Sequence, residues 1–437
     1  MPSAPKVSDF DGKTTAYIDD FEAAQTAIDI SAPLTWFLSS TPVVFGGELP
    51  NEDLNYNDRR AKLSWYTIDP VFYSGQRPEG INDEDLSSPF TRRVFRDEIF
   101  PDQDIVQGQT QALFSMDLTY YPDQRGPYNY NSAASGGNTL PNPTDNYGGI
   151  SRQLSTTDFE RANVEYIQFW LMDPFIYEEN FNNPGGKLTF DLGNISEDIL
   201  KDGKQAIENG IPADGDYSKL DSTRWGYAPK VHPPVSAFDN DAAVRKNQDV
   251  GYDLLDDPAE STWKPNDNEP SYLDRILAVD YLGPASLAYQ SASQDPASDN
   301  FQYYRGSELD QANADVLTRY KKYNNHQGNS NSTTVDGVSA FATNTPDIED
   351  LNNDQTLSTT ETYYQYRVPI RANYAIGEDY VTSIFDTITP ELINGEKKRV
   401  QWVQFKVPIF SPDSKVGSIG DYRSIRFLRM FMKDFSA

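Results

Sequence analysis

The chain repeats one kind of strand pattern, in which large apolar side chains alternate with polar ones until a proline interrupts the run. Such alternation predicts strands that bury one face, and each strand ends at the proline because proline has no N–H to donate to the ladder. The recurrence predicts a mostly β protein with jelly-roll-like β-sandwich domains, long loops and a few short helices. The runs are residues 62–68 before Pro70, 164–172 before Pro174 and 400–407 before Pro408.

The charge balance excludes one class of partner. The 437 residues include 66 acids and 37 basic residues, a net charge of -29, whereas nucleic-acid binding needs a basic surface. We therefore expect no nucleic-acid partner. The chain has no cysteine, so disulfides and thiol chemistry are excluded.

The composition along the chain predicts its domains. Residues 1–16 form a flexible lead-in, residues 17–150 a first β-sandwich domain, and residues 151–437 a second one. The second domain carries a loop-rich insertion at about 211–360, and a Gly-, Pro- and Asn-rich stretch at 122–150 marks the boundary.

Three further segments carry structural predictions. Ser196 is expected to cap a short helix that ends at Gly210, and a second helix is expected over 308–323. The last strand, 423–433, has apolar residues at both alternating sets of positions. We expect it to be covered on both faces.

No run of about 18 apolar residues and no basic, apolar leader is present, so we predict neither a transmembrane helix nor a signal peptide. The strand-like end of the sequence suggests an internal piece of a longer protein.

The clearest chemical signal is a loop with the ligand spacing of a calcium site. Oxygen-bearing side chains fall at loop positions 1, 3, 5, 7, 9 and 12, which is how a loop wraps a hard cation and closes it with a glutamate. Gln355 stands where glycine normally makes the sharp turn, and a chance match in an acidic chain is the alternative. The predicted ligands are Asp350, Asn352, Asp354, Thr356, Ser358 and Glu361.

A second loop has a weaker form of the same spacing. Acids stand at positions 1, 5, 9 and 12, but Gly251 occupies position 3. A solvated acidic loop is the competing interpretation. The candidate calcium ligands are Asp249, Asp253, Asp257 and Glu260.

Two Asp-Phe-Glu triplets, at 20–22 and 158–160, are expected to begin strands, with the phenylalanine inward and both acids outward. The acids are either structural calcium ligands, as in some carbohydrate-binding sandwiches, or solvent-facing residues.

Catalytic motifs are missing. The two histidines, His232 and His326, stand in loop-like sequence, and no nucleophile elbow, P-loop or His-Glu-x-x-His motif occurs. A pair of carboxylates for glycoside hydrolysis stays open. Loop tyrosines either stack on sugars, as in a carbohydrate-binding module, or pin the loop to the sandwich; they are Tyr120, Tyr121, Tyr128, Tyr130 and Tyr147.

Long ordered blocks of the sequence resemble the SprA/Sov family, the giant outer-membrane proteins of the type IX secretion system of Bacteroidetes, linked to gliding motility. The resemblance covers about 17–435. The blocks are YIDDFEAAQTAIDI (17–30), DRRAKLSWYTIDPVFY (58–73), DQRGPYNYN (123–131), TDFERANVEYIQFWLMDPF (157–175), DLGNISEDILKDG (191–203), QDVGYDLLDD (248–257), SDNFQYYRG (298–306), RYKKYNNHQGNS (319–330) and SIRFLRMFMKDF (424–435).

The resemblance implies a very large translocon β-barrel through which folded cargo leaves the cell. The proline-stopped runs lack the continuous apolar lipid face of a barrel strand, so we expect this chain to be a soluble internal fragment. The resemblance implies a non-catalytic cap at the cell surface, with the periplasmic side as the alternative. Its implied partners are secreted cargo proteins, accessory subunits and the rest of the parent barrel. A surface carbohydrate-binding module is the alternative function.

Overall fold

The structure is a computed structural model of the chain. The residues that it describes are 3–8, 14–18, 27–101, 112–133, 139–177, 183–279, 283–323, 328–330, 333–335, 338–340, 343 and 345–436.

Strands dominate this part of the chain, and the named strands pair in antiparallel sheets. The strands are β1 Ser3–Ser8, β2 Thr14–Ile18, β3 Phe37–Leu38, β4 Ala61–Tyr66, β5 Val94–Phe95, β6 Ala112–Leu113, β7 Asp117–Arg125, β8 Tyr147–Gln153, β9 Tyr166–Met172, β10 Gly186–Asn194, β11 Leu220–Ser222, β12 Tyr227–Pro229, β13 Thr333–Val335, β14 Val338–Ala340, β15 Thr362–Ile370, β16 Val381–Ile388, β17 Arg399–Pro408, β18 Ser414–Val416 and β19 Phe427–Lys433.

The α-helices are short. They are α1 Arg96–Ile99, α2 Ala242–Gln248, α3 Asp257–Thr262, α4 Tyr272–Val279, α5 Leu287–Gln294, α6 Ser307–Gln311 and α7 Val316–Tyr320.

A six-stranded sheet in the order β18-β15-β10-β19-β8-β3 forms one layer of the protein. In the centre of this sheet, Phe190 of β10 lies opposite Tyr366 on β15 and Met430 on β19. Because side chains alternate between the faces of a sheet, these three aromatic and apolar residues share one face. All three are buried in the largest hydrophobic core.

The second layer is the three-stranded sheet β16-β17-β9. Val403 and Phe405 of β17 are fully buried, and Phe169 of β9 stacks on Phe405 with ring centroids 5.0 Å apart. Phe169 also lies 5.8 Å from Phe190 of the six-stranded sheet. The two sheets therefore pack face to face around one core, as in a sandwich.

The far face of the six-stranded sheet is also covered. Phe427 and Phe431 of β19 are buried there together with Arg429, and Phe431 packs against Phe45 and Tyr147. The prediction that the last strand is covered on both faces is thus confirmed.

The domain boundary predicted at residue 150 falls inside β8. Ile150 lies opposite Met430 of β19, and Leu38 of β3 lies opposite Ile150. Because the backbone groups of β8 are satisfied by pairing with strands from both parts of the chain, the sandwich continues across this boundary rather than ending at it.

The loop-rich insertion predicted at about 211–360 contains helices α2 to α7 and a core of its own. Trp225 and Tyr272 are buried there against Tyr130, whose ring lies 5.7 Å from the ring of Trp225 and 5.2 Å from that of Tyr272. The loop at 126–131 is therefore packed into the insertion.

The helix predicted between Ser196 and Gly210 is wrong; only a 3-10 turn, Glu208–Gly210, is present there. Carboxylates take the backbone N–H groups that a helix would use. Glu349 accepts the N–H of Ile199, and Asp198 accepts those of Asp202 at 3.1 Å and Gly203 at 3.0 Å. Such bonds compete with helix formation.

The single helix predicted over 308–323 is two short helices, α6 and α7. Asn313 between them has φ 50°, which a right-handed helix does not allow. Asp315 then caps α7 by accepting the N–H of Thr318 at 2.8 Å.

The second Asp-Phe-Glu triplet lies in a turn, so the strand start predicted at 158–160 is wrong. Phe159 is buried as predicted. The Glu160 carboxylate accepts a hydrogen bond from Nε of Arg423 at 2.9 Å, and the Asp158 carboxylate accepts one from the backbone N–H of Arg161. Both acids bond to neighbouring groups at the surface. The first triplet, 20–22, lies outside the described residues.

Among the described residues, none of the helices combines the length and the apolar character that crossing a membrane requires.

Candidate metal centre

The calcium loop predicted at 350–361 bonds largely to itself. The Asp350 carboxylate accepts the N–H groups of Asp354 at 3.0 Å and Gln355 at 2.8 Å. Asp354 in turn accepts the Thr356 N–H at 2.9 Å and the Asn352 amide at 2.8 Å. Gln355 has φ 62°, the left-handed conformation for which glycine is the usual residue.

The closing glutamate of this loop faces the sheet. Both oxygens of Glu361 accept from the guanidinium of Arg429, at 3.0 and 3.1 Å, and Ser358 donates its N–H to a buried carboxylate outside the loop. In the described part of the chain, Asp350, Asp354 and Glu361 do not form a carboxylate group within 4.8 Å. Calcium binding at this loop stays a prediction.

The four acids of the weaker candidate loop, residues 249–260, separate into two pairs with different surroundings. Asp249 accepts the hydroxyl of Ser330 at 2.6 Å, and Asp257 accepts the amide of Asn300 at 3.0 and 3.2 Å. These two acids are thus paired separately with polar neighbours.

Asp253 and Glu260 converge, and a third acid joins them. One carboxylate oxygen from each of Asp253, Glu260 and Asp299 lies within 4.8 Å of the other two. We call these three residues the acid triad. Each is buried, with at most 2% of its surface exposed.

Local structure holds each member of the acid triad in place. Asp253 stands in a turn, and its own carboxylate accepts the N–H of Leu255 at 3.1 Å. Glu260 belongs to α3, whose first turn is capped by the preceding Asp256. Asp299 follows α5, and its N–H donates to Asp295 at 3.0 Å.

Sequence reasoning missed Asp299. It stands in the block 298–306, which carries no ligand spacing relative to Asp253 and Glu260. Only the folding of the insertion core brings the loop after α5 to the turn before α3. No local pattern in the sequence could have predicted this contact.

Two tyrosines donate hydrogen bonds to the acid triad. The Tyr128 hydroxyl donates to Oδ2 of Asp299 at 3.1 Å, and the Tyr130 hydroxyl donates to Oδ2 of Asp253 at 3.2 Å. The backbone N–H of Ala297 donates to Oε2 of Glu260 at 2.8 Å.

Two oxygens of the acid triad remain without a hydrogen-bond partner among the described residues. They are Oε1 of Glu260 and Oδ1 of Asp299, and both are buried. In the same part of the chain, no Lys, Arg or His nitrogen lies within 4.0 Å of a triad carboxylate. No basic side chain among the described residues therefore pairs directly with the triad, although Lys62 on β4 interacts electrostatically with Asp299.

Burial sets the protonation of the acid triad. It raises the pKa of Asp253 to about 8. Burial also raises the pKa of Glu260 and of Asp299 well above the usual range, and the neighbouring triad carboxylates add to the effect. Desolvation and like charges both oppose the ionised form of an acid.

Other buried acids in the insertion are satisfied by the backbone. Glu208 accepts the N–H groups of Val250 and Gly251 at 2.7 Å with one oxygen and that of Asp347 at 2.7 Å with the other. A carboxylate bonded in this way joins loops without needing a cation.

Three of the five loop tyrosines are buried, and one of the two histidines lies within the described residues. Tyr128, Tyr130 and Tyr147 are buried, so they pin their loop to the protein instead of presenting rings to a ligand. His232 is exposed in a loop, and His326 lies outside the described residues.

Comparison with protein families identifies a relationship over the second part of the chain. Residues 271–437 match the protein family SprA_N, described as motility related/secretion protein. No curated protein matches the chain. The matched segment begins in the insertion just before α4 and continues to the end of the sandwich, so it includes Asp299.

Proposed function

We propose, from the premise that this chain is a SprA-like secretion protein, that it forms a soluble, non-catalytic domain of the type IX export translocon. In this proposal it acts in protein secretion and gliding motility as a cap at the cell surface, with the periplasmic face as the alternative. The observation that carries the proposal is the family match over residues 271–437.

The packing of the strands supports a domain that folds in water. Phe405 and Val407 of β17 are fully buried between the layers, and Phe190 of the opposite sheet belongs to the same core. A strand that faces lipid would instead turn a continuous apolar row outward. The apolar faces of these strands are buried against each other.

The edge of the three-stranded sheet supports a proposal for where partners bind. Its outer strand β16 has no strand neighbour on one side among the described residues, and Ile388 at its end is 65% exposed. Ile393, in the following turn, is also exposed. An open edge beside exposed apolar side chains favours protein contact. We propose that secreted cargo, accessory subunits or the parent barrel contact this edge.

Labelling in intact cells tests the side of the membrane. The chain has no cysteine, so Val235→Cys, at a position that is 64% exposed, gives this part of the parent protein one accessible thiol, and the unaltered parent protein gives the background labelling. We expect it to react with a membrane-impermeant maleimide in intact cells. Reaction only after the outer membrane is permeabilised would support the periplasmic alternative. Ala228→Cys, at a buried position, is the unlabelled control.

A secretion assay tests the role. Ile388→Lys in the parent protein should reduce the amount of cargo in the medium while the protein level stays unchanged. Thr382→Lys, at an exposed position of the same strand, is the matched control. Normal secretion by the Ile388→Lys strain would exclude the proposed contact edge.

A further inference from the structure

We propose that the acid triad, Asp253, Glu260 and Asp299, binds one hard divalent cation, with Ca²⁺ as the preferred ion. The three carboxylates already lie within 4.8 Å of one another, a separation that allows a single ion to contact all three. This inference does not depend on the proposed role in secretion.

The unpartnered oxygens show where the ion would lie. Oε1 of Glu260 and Oδ1 of Asp299 are buried without a hydrogen bond among the described residues, although their sister oxygens accept from Ala297 and Tyr128. Buried acceptors in native proteins are almost always paired. A cation between the carboxylates would supply the missing partner of both atoms at once.

The neighbouring buried acids show that the chain can satisfy a carboxylate when it uses one structurally. Both oxygens of Glu349 accept backbone N–H groups, from Ile199 and from Ala206. The acid triad has fewer donors and more carboxylates. The triad therefore differs from Glu349, which joins loops through hydrogen bonds to backbone N–H groups.

The tyrosines fix the orientation of two ligands. The Tyr128 hydroxyl accepts the N–H of Tyr252 at 2.8 Å, so its own proton is free to point at Oδ2 of Asp299. Tyr130 holds Oδ2 of Asp253 in the same manner. Hydrogen bonds from such outer partners orient metal ligands and raise affinity.

Next to the acid triad, the backbone at position 251 has room only for glycine. Gly251 has φ 85°, and a Cβ at this position would overlap Oδ2 of Asp299 and the hydroxyl of Tyr128. Only glycine adopts this conformation freely and lets the backbone approach so closely. Any larger residue at position 251 would therefore displace the Asp299 carboxylate or its partner Tyr128.

The chemistry of the donors selects the class of ion. Carboxylate oxygens, without histidine or cysteine in the triad, suit hard cations and not zinc or copper. Ca²⁺ accepts several oxygens in irregular geometry, whereas Mg²⁺ requires a near-ideal octahedron. A divalent ion would also offset most of the charge of three ionised carboxylates.

The ion would join residues 253–260 to Asp299, which is distant from them in sequence. Arg125 already joins the segment just before Asp299 to the loop at 126–131, because its guanidinium donates to the carbonyls of Asn129 at 2.8 Å and Pro296 at 2.9 Å. A cation on Asp253, Glu260 and Asp299 would add the turn before α3. Bound calcium would therefore stiffen the insertion core.

Terbium luminescence tests the site in the complete chain. Tb³⁺ replaces Ca²⁺ at oxygen sites, and Tyr128, Tyr130 and Trp225 lie close enough to sensitise it. We expect one Tb³⁺ per chain with strong emission on aromatic excitation, displaced by Ca²⁺ more readily than by Mg²⁺. Absence of sensitised emission from the unaltered protein would overturn the proposal, whatever the variants do.

Variants assign the ion to the acid triad. Glu260→Gln keeps the shape of the side chain but removes its charge, and we expect Tb³⁺ affinity to fall by more than 100-fold. Tyr128→Phe should cost roughly 10- to 100-fold, as loss of an outer partner does. Asp354→Asn, in the loop at 350–361, is the control and should bind as the unaltered protein does. Emission lost in Asp354→Asn but retained in Glu260→Gln would place the ion in that loop and refute the proposal.

Discussion

Two buried groups of acids in this protein are neutralised in different ways. In the sandwich, Arg429 lies 2.8 Å from Asp191 and 3.0 Å from Glu361, and the side chains of Arg429 and Asp191 are fully buried. We call these three residues the sandwich cluster. The acid triad of the insertion has no basic side chain within 4.0 Å among the described residues.

The difference shows two solutions to the same physical problem. A buried charge is costly unless it is paired and hydrogen-bonded. In the sandwich cluster the positive charge is a side chain, Arg429, so the acids are paired whatever ions the solution contains. The acid triad has no such ion pair among the described residues, so we expect it to hold protons or to take a cation from solution.

The largest expected effect is at Arg429. Arg429→Met would leave Asp191 buried without its partner, and removing one member of a buried ion pair costs about 3–5 kcal/mol of unfolding free energy. Urea unfolding measures this loss. Arg423→Met, which breaks the exposed pair with Glu160, is the control and should leave the midpoint almost unchanged. Equal midpoints for both variants would show that the sandwich cluster is not the stabilising unit described.

The next effect is a pH dependence at Lys62, a cation on β4 close to the insertion. Burial lowers its pKa to about 8, with Asp295 and Asp299 opposing and Lys321 and Lys322 adding to the shift. Unfolded lysine titrates near 10.4.

Between pH 8 and 10.5 the unfolded chain therefore keeps a proton that the folded chain has lost. The unfolding free energy should rise by about 3 kcal/mol as the pH increases through this window. The same amount should be lost as the pH falls back to 8, the folded-state pKa. Urea midpoints at both ends of the window test this. The urea midpoint of Lys62→Met should not rise over this pH range. If the midpoints of the two proteins change with pH in parallel, Lys62 is not the group responsible.

A smaller effect separates the two calcium candidates. Glu361→Gln should lower the unfolding free energy by about 1.5–3 kcal/mol, because a charged hydrogen-bond partner of Arg429 is lost. The shift in melting temperature on adding Ca²⁺ should be the same as in the unaltered protein. If Glu361→Gln instead removes the calcium response, the loop at 350–361 is the calcium site.

The strands of the sandwich could be predicted because their information is local. The alternation at 164–172 and 400–407 marks β9 and β17, since one face of each strand meets the core. The prolines also act as predicted: Pro174 follows the end of β9, and Pro408 is the last residue of β17.

The helix predicted after Ser196 failed for a tertiary reason. Its local signals were those of a helix, but Glu349, far away in the sequence, takes the N–H groups of Ile199 and Ala206. Distant carboxylates decide the backbone conformation here, and no window of sequence contains them.

The candidate site could be predicted only in part. The spacing rule pointed to Asp253 and Glu260, which converge, and also to Asp249 and Asp257, which bond elsewhere. The third acid, Asp299, comes from a loop that only the insertion core brings near. A spacing rule describes ligands within one loop, whereas this group adds an acid from a second, distant segment.

Thermal unfolding with and without Ca²⁺ tests the central claim, that the acid triad takes its cation from solution. The unaltered protein should melt at a higher temperature in Ca²⁺ than in EGTA. Asp299→Asn should melt at one temperature in both, and above the unaltered protein in EGTA, because the free-energy cost of keeping a buried acid protonated above its usual pKa has been removed. An equal calcium shift in Asp299→Asn, or none in the unaltered protein, would contradict the account.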